Sequence, residues 1–134
     1  RSLRSQDIFG ITLNRSGLTE MLSGRAEDGL IQRSSQLPSL VVLPVGAIPP
    51  NPLELIQRPA FAQLIHEMVG KFDHVVVDTP ASTHGADARA IAALCGAVLV
   101  VGRRGRSRMK SMNSLVSALA KSPAKLAGVV MNEY

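Results

Sequence analysis

Lys71–Ser82 reads KFDHVVVDTPAS, and this stretch decides the fold. A polar lead-in, Phe72-Asp73-His74, runs into Val75-Val76-Val77, and Asp78 stands where the apolar run stops, ahead of Thr79 and Pro80. An unbroken β-branched run suits a strand buried on both faces, as in a parallel sheet covered by helices, so a strand is expected over Asp73–Asp78. Asp78 then lies at its carboxyl end. Ligands of open α/β sheets bind outside that edge, and a carboxylate there can hold Mg²⁺ directly or through water. The plainer role for Asp78 is to cap the next turn. Pro80, with no N–H to donate, ends the ladder.

Outward from this stretch, the 134 residues allow one domain with a real core, and 46% hydrophobic against 19% charged residues is a globular composition. Aromatics are 3% with no Trp, so the core is built from Val, Leu, Ile, Ala and Met, and a stacking platform for single-stranded nucleic acid has almost nothing to be made from. Nucleic acid is not an expected partner. The net charge is +5, and part of the excess is local: Arg103, Arg104, Arg106, Arg108 and Lys110 lie within eight residues. That cluster is either a solvated loop or a surface for phosphate, anionic lipid or an acidic partner. The single Cys95 excludes an internal disulfide and reads as a small buried hydrophobe in a reducing, cytoplasmic setting. No apolar run approaches the roughly 20 residues of a membrane span, and no signal peptide opens the chain.

Patterning places the remaining elements. Arg1–Arg15 has no clear period. Leu18, Met21 and Leu22 make a short helical turn stopped by Gly24, and Arg25–Ser39 reads as loop. Leu40–Leu43 is a first buried strand, halted by Pro44 and Gly46. Asn51 and Pro52 are suited to open a short helix over Leu53–Gln57, and Pro59 breaks it. Phe61, Leu64, Ile65, Met68 and Val69 then form the core stripe of a helix closed by Gly70. Ala86–Cys95 is a helix with Ile91 and Leu94 inward, and Ala97–Val101 a third buried strand. A helix near Met109–Lys121 buries Met112, Leu115, Val116 and Leu119, and Leu126–Met131 is a fourth strand. Strands alternating with helices imply parallel right-handed crossovers, a doubly wound, mostly parallel α/β sheet.

The chemistry that such a sheet needs for nucleotides is partly missing. Neither G-x-x-x-x-G-K-S/T nor G-x-G-x-x-G occurs, so no segment of this sequence cradles phosphates. His66, His74 and His84 have no zinc-ligand spacing, and no G-x-S-x-G elbow supports a serine hydrolase. Asp87 is either a second carboxylate beside Asp78 or a helix-start residue favoured by the helix dipole.

Five stretches in order resemble the cytoplasmic bacterial tyrosine kinases (BY-kinases) of capsular and exopolysaccharide synthesis, a branch of the deviant P-loop ATPases: GLTEMLSG (17–24), LVVLPVGAIPPNPLELI (40–56), FDHVVVDTPAS with Asp87-Ala88 (72–88), AVLVVGRRGRSR (97–108) and GVVMNEY (128–134). The resemblance implies an incomplete P-loop NTPase-like fold whose phosphate loop lies in preceding polypeptide, so that the 134 residues are the C-terminal portion of one kinase domain and inactive alone. It implies Mg-ATP as cofactor, with Asp78 as the Walker B carboxylate acting on Mg²⁺, flanked by Thr79 and Pro80. Asn132 is implied as the adenine contact and Arg1 as the arginine ending a D-x-D-x-R motif. The implied partners are a membrane-embedded polysaccharide co-polymerase and further copies of the chain, at the inner face of the cell membrane. The family's usual tyrosine cluster is reduced here to Tyr134. Two other readings are a non-catalytic module docking through residues 103–110 and a septum-placement ATPase, the latter opposed by GAIPPNP.

Overall fold

A computed structural model describes residues 8–11, 16–25, 29–79 and 87–133. Two compact units are present, Arg1–Leu55 and Ile56–Tyr134.

In the first unit, helix α1 (Leu18–Leu22) buries Leu22. Strands β1 (Gln32–Arg33) and β2 (Val41–Val42) pair antiparallel, Gln32 opposite Val42 and Arg33 opposite Val41. The strand expected over Leu40–Leu43 is therefore two residues long and half-buried, and its partner comes from a stretch read as loop. That partner was hidden because Gln32–Arg33 is polar and too short to show a period. Between the strands Ser34 is 3% exposed, the one buried polar residue among those described. Its hydroxyl donates to the Phe9 carbonyl at 2.6 Å and accepts from the N–H groups of Gln36 and Leu37 at 3.2 and 3.1 Å. A buried hydroxyl so fully partnered repays its desolvation. Helix α2 (Pro52–Gln57) begins at the proline, as its fixed φ favours, and spans the boundary between the units.

The second unit begins with helix α3 (Pro59–Lys71). Pro59 is not only a breaker: it is the first residue of α3, where a missing N–H costs nothing, and the helix runs through Gly70 to Lys71. Phe61 and Leu64 are buried, Ile65 and Met68 half-buried, and Val69 exposed at the stripe's edge. Helix α4 (Asp87–Leu94) buries Ile91 and Ala92 while Leu94 is exposed. The inward stripe is Ala88, Ile91, Ala92 and Cys95, at i, i+3, i+4, i+7, and Leu94 lies off it. Strand β3 (Ala97–Arg103), helix α5 (Met109–Leu119) and strand β4 (Lys125–Asn132) form one parallel crossover, paired from Ala97 opposite Lys125 to Arg103 opposite Asn132, with the register shifting by one residue between Val98, opposite Leu126, and Leu99, opposite Gly128. Ala92, Val100, Leu119 and Ala124 make the core, joined by Val98, Met112, Leu115, Val116 and Leu126. Gly102 leaves room over the strand for the Met112 methyl, which would lie 2.6 Å from an added Cβ.

The α/β class is as expected, with two corrections to its strands. β3 is covered on one face only among the described residues: Val98, Val100 and Gly102 point to the helices, while Leu99 and Val101 are 57% and 64% exposed. Residues 74–79 join neither a ladder nor a helix, and Val76 is 91% exposed. A valine run is strand-forming only where a neighbouring strand takes its N–H and C=O groups, and the described residues offer none.

Leu119→Ala should cost about 2–5 kcal/mol, because it empties the centre of the core, and Ser34→Ala about 1–3 kcal/mol, because it strands one carbonyl and two N–H groups. Urea unfolding of each variant against the unaltered chain checks both.

Candidate functional site

Parallel pairing sends β3 and β4 out at the same edge, so the residues that follow them meet there. The turn after β3 is stitched to the end of β4: the Arg104 N–H donates to the Asn132 carbonyl at 2.9 Å, and the Arg104 guanidinium reaches Glu133 at 3.1 Å. The turn is closed internally. Arg103 N–H donates to Ser107 Oγ at 2.8 Å, and the N–H groups of Arg106 and Ser107 return to the Arg103 carbonyl at 3.2 and 2.8 Å. Gly105 supplies the left-handed backbone, with φ +72°. The exposed Arg104–Glu133 pair adds at most about 1 kcal/mol, so backbone hydrogen bonds set this geometry. Asn132 thus ends β4 with its main chain fixed, exposed at the edge where α/β sheets take ligands.

Asp78 is exposed and Thr79 half-buried, at the end of the unpaired stretch 74–79. Pro80 and Arg1 lie outside the described residues, as does the Asp87 side chain, so its pairing with Asp78 is not described. His66 and His74 are exposed, and His84 lies outside the described residues. Among the described residues no three His, Cys, Asp or Glu side chains gather as a metal cage. Asp78 is a single exposed carboxylate, a hard oxygen donor of the kind Mg²⁺ takes directly or through water. Burial pushes the Cys95 thiol up, away from the reactive thiolate, in keeping with a packing role.

Glu20, given no role of its own in the sequence motifs above, ties α1 to the start of the GAIPPNP loop. Glu20 Oε2 accepts the Gly17 N–H at 2.6 Å and Oε1 the Ala47 N–H at 3.3 Å. This is the carboxylate half of a capping box, since Gly17 has no side chain to return the bond. The next two N–H groups of α1, from Leu18 and Thr19, donate to the carbonyls of Pro44 and Val45 at 2.8 and 3.0 Å. Such close backbone approach requires glycine on both sides. A Cβ on Gly17 would stand 2.6 Å from the Gly46 nitrogen, and one on Gly46, where φ is +78°, 2.7 Å from the Gly17 nitrogen. Glu three residues after a glycine helix start was the available signal. GLTEMLSG and VGAIPPNP are therefore one structural unit.

No family model matches the chain. The tyrosine-protein kinase CpsD of Streptococcus agalactiae is 33% identical over 125 residues, 93% of this chain and 55% of CpsD. The chain is a homologue of the bacterial tyrosine kinases. Among solved structures, the kinase domain of Escherichia coli tyrosine kinase ETK matches with a TM-score of 0.84 and 30% identity, over 96% of this chain and 50% of that one. The chimerical protein CapA2B2 matches with a TM-score of 0.86 and 30% identity, over 97% and 57%. This homologue spans about half the length of the CpsD kinases it matches, and its fold is that of about half of the BY-kinase domain. No described helix is long and apolar enough to cross a membrane.

Glu20 gives its bridge between Gly17 and Ala47 a pH dependence. Partial desolvation pushes its carboxyl up, but N–H donation from Gly17, its own backbone and Ala47, with attraction from Arg25, holds it below the usual carboxylate value. The stability it contributes is therefore complete above the unfolded-state carboxylate range and is lost as pH falls through the lowered folded value. Glu20→Gln should be less stable than the unaltered chain at neutral pH, with the gap closing in acid. Thermal melts at stepped pH read this directly.

Proposed function

We propose that this chain is the C-terminal portion of an ATP-dependent protein-tyrosine kinase domain acting in capsular or exopolysaccharide synthesis. The observation that carries the reading is the 33% identity to a named tyrosine-protein kinase across 93% of the chain. In this reading Mg-ATP is the cofactor, and Asp78, which follows the valine run of VVVDTP, is the carboxylate that would act on Mg²⁺ directly or through water, with Thr79 and Pro80 beside it. Bound Mg²⁺ would neutralise charge on the transferring phosphoryl group. Asn132 would orient the adenine from the fixed end of β4, and Arg1 would close a D-x-D-x-R motif. A glycine-lysine phosphate loop is absent from these 134 residues, so the reading requires polypeptide supplying it, and the chain by itself is inactive. The partners are a membrane-embedded polysaccharide co-polymerase and further copies of the chain, at the cytoplasmic face of the membrane.

Joined to a segment bearing a strand and a G-x-x-x-x-G-K-S/T loop, the chain should bind Mg-ATP and turn it over. In that protein Asp78→Ala should lower turnover about 100-fold or more, the scale of losing a positioned charge at a reacting phosphate, and Asn132→Ala should weaken nucleotide binding with little change in turnover at saturation. Phosphate release and calorimetric ATP titration separate the two. Full turnover by the Asp78→Ala protein would defeat the proposal.

A further inference from the structure

We propose that the turn Arg103–Lys110 and the outer face of α5 form a docking surface for an anionic lipid bilayer, independently of any catalytic role. From Arg103 to Lys121 the sequence has six Lys or Arg and no Asp or Glu, more positive charge than the +5 of the whole chain. A solvated surface ordinarily mixes signs. This one does not. Every residue from Arg103 to Ser111 is exposed, and the turn's own hydrogen bonds and its tie to Asn132 hold the cations on a fixed scaffold. At its crown Met109 is 69% exposed between Arg108 and Lys110. Cations flanking a bare, flexible apolar side chain match a headgroup layer over an acyl boundary. The basic surface continues along α5 as a shallow, open depression between Lys110 and Lys121, floored by Asn113, Ser114 and Ser117. Neutral hydrogen-bonding groups between cations suit phosphate diester headgroups. Nucleic acid fits less well, because residues 97–133 contain no aromatic side chain for stacking.

Flotation of the chain with phosphatidylcholine vesicles, with and without phosphatidylglycerol, tests the proposal. Binding is expected only with phosphatidylglycerol and should fall as salt rises. Each cation near such a surface strengthens binding roughly fivefold, so R106E with R108E should weaken it by more than tenfold. Lys125→Glu, at the opposite end of β4, should leave binding unchanged, and Met109→Ser should weaken it severalfold with an unaltered melting temperature, which guards against a misfolded charge variant. Equal flotation with phosphatidylcholine alone would overturn the proposal. So would a loss for Lys125→Glu as large as for the turn variant, which would make net charge the cause. Displacement by inorganic phosphate but not by chloride of equal ionic strength would assign a phosphate pocket instead. Tighter binding to duplex DNA than to the vesicles, indifferent to Met109→Ser, would assign nucleic acid.

Discussion

The parallel ladder between β3 and β4 is the constraint on which the second unit depends. Two parallel strands cannot be joined by a tight turn, so the chain must leave at one edge, cross the sheet and return. Helix α5 is that return path, and its apolar stripe is consumed in covering β3 on the way. The same geometry puts Arg103 and Asn132 side by side and gives the edge its basic turn. Position at the ligand edge follows from strand direction before any side chain is considered.

The first unit rests on a different device. Its strands are two residues long and contribute little hydrogen bonding. Order comes instead from polar groups acting at chosen points: Ser34 satisfied by three backbone partners, and Glu20 bridging Gly17 and Ala47. In each case one side chain meets backbone groups that water would otherwise have to serve. Packing supplies the remainder through Leu22, Leu30 and Leu55, each buried.

Homology and geometry bear on separate questions. The kinase relatives account for the order of the motifs, and the fold shared with their domains accounts for strand direction. Neither accounts for the unbroken positive charge between Ala97 and Asn132. That charge sits on the outer surface, where no packing demand explains it.

The α/β class and the helices α2, α3 and α5 were legible in the sequence by itself, because proline positions and a 3.6-residue stripe are local properties. So was the absence of a phosphate cradle, which depends only on which residues are present. Tertiary structure alone decided that, among the described residues, Val75–Val77 stands unpaired and β3 is bare on one face, and that Gln32–Arg33 is a strand. Each of these turns on whether a neighbour distant in the chain accepts a hydrogen bond or covers a side chain. A run of valines offers a strand; only a partner makes it one.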